Sequence, residues 1–216
     1  MSQIVVKVRN ITPRLFLASI AANSLDKAIN LFPDKPRNKT RVAFIPTAAD
    51  PYLDKGFVEE DRSKLEKMGF DVFDLDIKDK RREELWEQLR SVDIIFVAGG
   101  NTFYLLNEVR KSDFDEEVKR LVHRERVLYI GSSAGSVLVG PDIKPVELLD
   151  DPSVATELQS TKGLNLIDFV VLPHYGDKKY EKEFKKIIAE YEDKYTLVKI
   201  TNEQAVIVEG KSYSIV

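Results

Sequence analysis

Gly131-Ser132-Ser133-Ala134-Gly135 has the pattern Gly-x-Ser-x-Gly and directly follows the apolar run Val127 to Ile130. Such a run predicts a buried strand, and Ala134 to Val139 predicts the start of a helix. A strand–turn–helix elbow lifts one serine hydroxyl clear of the backbone and aims the next residue's amide at whatever that hydroxyl attacks. Of the serines here, Ser133 alone has glycine two residues before and two after, where neighbouring chain comes too close for a side chain. Ser133 is the candidate nucleophile.

A serine needs a base, and the chain has 2 histidines. His123 closes a helical segment beside Arg124 and Arg126, the setting of a solvated residue that interacts with the helix dipole. His174 follows the run Phe169 to Leu172 and Pro173, just past the carboxyl end of a strand and at the sheet edge expected for Ser133. It is the candidate general base. Two sets of residues could orient it. Asp150 and Asp151 precede it in an irregular loop, giving the chain order serine, acid, histidine. Asn202 and Glu203 follow the run Thr196–Ile200, giving the order serine, histidine, third residue. A carboxylate fixes the histidine tautomer and stabilises imidazolium; an amide does only the first.

A second glycine turn lies at another strand end. Asp93 to Ala98 leads into Gly99-Gly100-Asn101-Thr102 and then into helical Phe103–Arg110. Ligands of open parallel sheets bind beyond the carboxyl ends of the strands, which brings this turn and the Ser133 elbow to one edge. The amides of Gly100 and Ala134 are the expected oxyanion hole, each donor contributing about 3 kcal/mol to a tetrahedral intermediate. Gly99, Asn101 and Thr102 are the expected substrate-contacting residues.

Placing these groups together requires alternating strands and helices, and the chain supplies them. Strands are expected at Ile4–Val8, Leu15–Ala18, Val42–Pro46, Asp71–Leu75, Ile94–Ala98, Val127–Ile130, Phe169–Leu172, Thr196–Ile200, Ala205–Val208 and Ser212–Val216. Helical spacing recurs over Ser24–Leu31, Gly56–Lys67, Arg82–Leu89, Thr102–Arg110, Asp115–His123 and Tyr180–Tyr191. The alternation predicts an α/β fold with a mostly parallel sheet covered on both faces. With 216 residues and no low-complexity linker, one domain over 1–216 is expected. The net charge of −3, from 33 basic and 36 acidic residues, gives no reason to expect nucleic acid or an anionic membrane as partner. Cysteine is absent, which excludes thiol catalysis, disulfides and thiolate metal sites. No apolar run suits a signal peptide or a membrane span, so a cytoplasmic location is expected. No cofactor and no metal site is indicated.

Three motifs in order carry a family resemblance: Gly99-Gly100-Asn101-Thr102; Gly131-x-Ser133-Ala134-Gly135; and Leu164-x-Leu166-Ile167-Asp168-Phe169 leading to Leu172-Pro173-His174-Tyr175. Together they resemble the peptidase E family of serine peptidases, which includes alpha-aspartyl dipeptidases and is related to cyanophycinase. The resemblance runs from Phe44-Ile45-Pro46-Thr47-Ala48 to Gln204-Ala205-Val206. It implies a three-layer αβα sandwich like that of class I glutamine amidotransferases, with serine in place of their cysteine. It also implies Ser133 as nucleophile, His174 as base and an oxyanion hole from Gly100 and Ala134. The family's third residue, a Glu late in the chain, falls on Asn202 by register, with Glu203 one position further. Successive strand residues face opposite ways, so only one of the two can orient His174 if the strand extends that far.

Aspartyl dipeptidases use an arginine soon after the histidine to hold an N-terminal aspartate. This chain has Gly176-Asp177-Lys178-Lys179-Tyr180 there and no arginine from His174 to its end. Lysine offers a point charge without the bidentate fork. The resulting expectation is a serine exopeptidase for short peptides, a monomer or homodimer. Two alternatives stand beside it: an α/β-hydrolase-type esterase or amidase using Asp150 or Asp151, and a non-catalytic amidotransferase-like domain that binds a ligand or partner.

Overall fold

Runs such as Leu15-Phe16-Leu17-Ala18 and Ile94-Ile95-Phe96-Val97 are apolar at every position, as strands buried on both faces must be. The computed structural model describes residues 13–124 and 127–216, so the expected strand Ile4–Val8 lies outside the described residues. The strands are β1 (Arg14–Ala18), β2 (Arg41–Ile45), β3 (Asp71–Asp74), β4 (Ile94–Val97), β5 (Leu128–Ser132), β6 (Val170–Leu172), β7 (Leu197–Lys199), β8 (Ala205–Glu209) and β9 (Ser212–Ile215). Seven of them form one sheet in the order β3-β2-β4-β5-β1-β8-β9. Pairing is parallel from β3 to β1, and antiparallel where β8 joins β1 and β9 joins β8.

The helices are α1 (Ala21–Ser24), α2 (Gly56–Lys67), α3 (Arg82–Leu89), α4 (Thr102–Lys111), α5 (Phe114–Arg124), α6 (Ala134–Leu138) and α7 (Glu181–Tyr191). Period-two alternation divides the strand side chains between two cores. Phe16, Val42, Phe44, Ile94 and Phe96 meet Val58 and Leu65 of α2 on one face. Leu15, Leu17, Ile45, Ile95 and Val97 meet Leu85 of α3, Leu105 of α4 and Ile187 of α7 on the other. The result is the expected three-layer sandwich. Among the described residues no helix is long and apolar enough to cross a membrane.

Two elements differ from expectation. The first helix begins at Ala21 and tightens into a 3-10 turn over Leu25–Ala28, earlier than the expected Ser24–Leu31. Its start is fixed by partners remote in sequence: the Ala21 amide donates to Ser132 Oγ at 3.1 Å and the Ala22 amide to Asp61 Oδ1 at 2.7 Å. More consequentially, β6 and β7 leave the main sheet and pair in parallel as a two-stranded sheet of their own. His174 therefore does not extend from an edge of the sheet that carries Ser133. The segment before β6 is instead tied to the end of α6, where the Leu164 amide donates to the Leu138 carbonyl and the Leu166 amide to the Val139 carbonyl.

The elbow depends on close backbone approach. A Cβ built on Gly135 would stand 2.2 Å from the Val97 carbonyl oxygen, and one on Gly131 would stand 2.5 Å from the Gly135 carbonyl carbon. Both neighbours are backbone and cannot swing aside. Gly135→Ala is expected to lower stability by about 3 kcal/mol through overpacking, read as a shift in the urea midpoint, whereas Gly176→Ala has open space around it and acts only through its positive φ.

Candidate active site

β5 delivers Ser133 at its carboxyl end, and the turn into α6 forces Ser133 to φ 46° and ψ −105°. A non-glycine residue with positive φ costs on the order of 1–3 kcal/mol unless its surroundings hold it there. Here they do. The Ser133 amide donates to the Ala18 carbonyl at 3.0 Å, and the Ser133 carbonyl accepts from the Ser136 amide at 2.8 Å. The Ser136 hydroxyl lies 2.7 Å from the Ala18 carbonyl and 2.9 Å from the Gly131 carbonyl. The buried Tyr129 hydroxyl donates to the Gly135 carbonyl at 2.8 Å.

The small sheet brings in the next two groups together. β6 and β7 run parallel with Leu172 opposite Lys199, so the chain leaving each strand emerges at the same end. His174 leaves from one and Asn202 from the other. His174 Nε2 lies 2.9 Å from Ser133 Oγ, and His174 Nδ1 lies 2.7 Å from Asn202 Oδ1. An amide oxygen only accepts, so Nδ1 carries the proton and Nε2 is the free acceptor for the serine hydroxyl. Glu203 is directed elsewhere: its carboxylate accepts from Asn23 Nδ2 at 2.9 Å. Of these two neighbours, Asn202 is the one in contact with the His174 ring; both belong to a turn past the end of β7 and not to the strand.

A third participant directly follows β1. Ser19, fully buried at the carboxyl end of β1, accepts from the His174 amide at 2.8 Å and donates to Asn202 Oδ1 at 3.3 Å. It holds both the backbone of His174, itself at φ 62°, and the group facing its ring. The sequence signal was present: a polar residue directly after the run Leu15-Phe16-Leu17-Ala18, at a strand end where ligand-side residues collect.

The second glycine turn lies beside the elbow, with a Cβ built on Gly99 reaching 3.4 Å from Ser133 Cβ. Gly100 takes φ 142° and packs against Ala48, whose carbonyl accepts from the Asn101 amide at 2.8 Å. Among the described residues, the Gly100 and Ala134 amides donate no hydrogen bond. Ser133, His174, Gly99, Gly100 and Thr102 line one cleft of about 370 Å³, within the range of small-ligand sites. Asn101 is not among the residues that line it. Its amide oxygen caps α4 by accepting from the Phe103 and Tyr104 amides, and its Nδ2 donates to the Asp151 carbonyl. Asp151 caps the 3-10 turn Pro152–Val154 and is exposed, while His123 is exposed on α5. The order serine, acid, histidine is thus not what the structure assembles at the His174 ring.

Two carboxylates adjoin the elbow. Asp150 lines the cleft and accepts, through Oδ2, from both the amide and the hydroxyl of Thr102. Burial pushes its carboxyl above the usual range, opposed by the Thr102 hydrogen bonds and by the charge of His174. Asp61 is only 2 % exposed. Burial raises its pKa to about 6, against the lowering effect of hydrogen bonds from Ser132 and the Ala22 amide. Among the described residues no group of three or more histidine, aspartate or glutamate side chains could hold a metal ion.

The sequence profile of Peptidase family S51 matches residues 15–216. The chain belongs to that family. It is a serine-type peptidase, and the non-catalytic alternative gives way to this. An uncharacterized peptidase of Listeria monocytogenes is 36 % identical over 200 residues, covering 91 % of this chain and 95 % of that one. A peptidase E of Nostoc is 30 % identical over 135 residues, covering 62 % of this chain and 52 % of that protein. The fold superposes on the crystal structure of a candidate peptidase E protein from Listeria monocytogenes with a TM-score of 0.87 at 32 % identity, covering 95 % of this chain and 98 % of that one.

Asp61 gives this S51 chain a measurable pH signature. Its folded pKa lies above the ordinary 3.8, at about 6, so the folded state binds the proton more tightly than the unfolded chain. Its contribution is therefore most favourable at low pH and is lost as pH rises through that interval. Asp61→Asn is expected to gain stability relative to the parent by up to about 3 kcal/mol between pH 3 and pH 7, read from paired urea unfolding curves.

Proposed function

We propose that this S51 peptidase hydrolyses short peptides through an acyl-enzyme on Ser133, with residues 1–216 acting as one catalytic domain. The observation that carries the reading is the continuous chain of contacts Ser133 Oγ to His174 Nε2 at 2.9 Å and His174 Nδ1 to Asn202 Oδ1 at 2.7 Å, opening on a cleft. Ser133 Oγ attacks the scissile carbonyl carbon while its proton passes to His174 Nε2. The oxyanion that forms meets the amides of Gly100 and Ala134, which the fold leaves without internal acceptors among the described residues. As the C–N bond breaks, His174 returns the proton to the leaving amine. Water then attacks the ester, giving its proton to His174, and the carboxylic acid leaves as Ser133 recovers its hydroxyl proton. Asn202 fixes the tautomer throughout but carries no charge to stabilise imidazolium.

The test is labelling by a fluorophosphonate. Modification should map to Ser133 and should vanish in Ser133→Ala, which is expected to lower kcat/KM on a cleaved dipeptide by about 10⁴-fold or more. Labelling at another residue, or full turnover in Ser133→Ala, would remove the reading. Asn202→Ala is expected to cost about 10²-fold in kcat while Glu203→Gln keeps most of the activity; the reverse order would exchange their roles. Asn202→Asp places a carboxylate against the imidazole, able to orient the ring and to stabilise imidazolium, and is expected to keep or raise kcat where Asn202→Ala lowers it.

A further inference from the structure

The walls of the cleft differ in chemistry in a way that bears on which peptide enters. Tyr52, Phe57, Val137, Val146, Leu149 and Tyr180 give it an apolar side. The charged groups lining it are three carboxylates, Glu60, Asp61 and Asp150, and one cation, Lys179. These are not equivalent. Asp61 is committed to Ala22 and Ser132 within the fold. Glu60 and Lys179 are exposed, and the Lys179 ammonium rests 4.7 Å from the centre of the Tyr180 ring. Asp150 differs from all of them. It is partly enclosed, uses only Oδ2 for its Thr102 bonds, and its Oδ1 accepts no hydrogen bond among the described residues.

An enclosed carboxylate with one oxygen unused is poorly solvated and gains from an incoming cation more than an exposed one does. A second carboxylate in the same space is disfavoured for the same reason. The exposed lysine offers little to offset that, because water screens it.

Resting on the reading of Ser133 as nucleophile, we propose that the cleft takes the N-terminal residue of a free peptide, holding its α-ammonium on Asp150 Oδ1 and its uncharged, apolar side chain against the Tyr52, Phe57, Val137, Val146, Leu149 and Tyr180 wall. The substrate class is therefore short peptides with a free amino terminus and an apolar or aromatic first residue. Peptides beginning with aspartate are poor substrates, since their side-chain carboxylate would enter a space already lined by carboxylates. The scissile bond is the one after that first residue.

The experiment compares the intact protein on Leu-Ala, Phe-Ala, Asp-Ala and N-acetyl-Leu-Ala, with fluorophosphonate labelling of Ser133 as a separate arm. The expected result is kcat/KM at least about tenfold higher for Leu-Ala and Phe-Ala than for Asp-Ala, and a loss of at least about tenfold on N-acetylation. In Asp150→Asn, which keeps an acceptor for Thr102, KM for Leu-Ala should rise more than kcat falls, and the gap between free and acetylated peptide should narrow. Calorimetric binding of Leu-Ala and Asp-Ala to Ser133→Ala reads the same preference without turnover and does not depend on the Asp150 variant folding. Equal or better cleavage of Asp-Ala overturns the inference, as does indifference to N-acetylation. Labelling of Ser133 with no dipeptide cleaved also overturns it and leaves the nucleophile standing. No labelling and no cleavage removes both.

Discussion

Ser133 at φ 46° and His174 at φ 62° hold side-chain-bearing residues in left-handed backbone, and the architecture around the cleft is organised to keep them there. Among the described residues the other non-glycine residues with positive φ, Asp79, Asp113 and Asn165, are, like His174, of the types that tolerate it best. Serine at an elbow does not share that ease, so its conformation has to be imposed by neighbours. For Ser133 the constraint comes from β1, through the Ala18 carbonyl, which accepts from both the Ser133 amide and the Ser136 hydroxyl. For His174 it comes from Ser19, the next residue of the same segment, and from the Tyr175 amide donating to the Ile200 carbonyl at 3.0 Å. One stretch of chain, Ala18-Ser19, thus anchors both partners of the 2.9 Å contact. Two sheets that do not pair with each other are brought into register by that shared anchor.

The elbow and its surroundings were legible in the sequence because they rest on local rules. Glycines flanking Ser133 declare close backbone approach, and apolar runs ending at Ala98 and Ile130 declare where strands stop. Layering followed from the same runs, since residues apolar at every position need cover on both faces. The grouping of strands into sheets did not follow. Nothing within Val170-Val171-Leu172 distinguishes a strand of the main sheet from one that pairs only with Leu197–Lys199; that depends on how 164–167 docks on the end of α6.

The choice between Asn202 and Glu203 was hidden for a related reason. Strand alternation predicts that neighbours face opposite ways, but β7 ends at Lys199 and residues 201–204 form a turn closed by the Gln204 amide on the Thr201 carbonyl. Orientation in that turn is set by Asn23, Lys27 and Ser19, all contributed from 176 to 183 residues earlier. The start of α1 departs from the helical spacing on the same grounds, because its first amides are satisfied by Ser132 and Asp61 and not by a local cap. Where long-range hydrogen bonds decide a local conformation, periodicity carries no information about it.

A neutral residue opposite the His174 ring leaves charge in the cleft to other groups. Asp61 and Asp150 already place two carboxylates near the elbow, one consumed by the fold and one that lines the cleft and whose Oδ1 accepts no hydrogen bond among the described residues. Asp150 acts on His174 through space, its own raised pKa being opposed by the histidine's charge. A carboxylate in contact at position 202 would both orient the ring and stabilise the imidazolium formed as Ser133 attacks. An amide oxygen at 2.7 Å selects the tautomer without that stabilisation. In the proposed reaction, orientation thus comes from Asn202 at contact and charge comes from Asp150 at range.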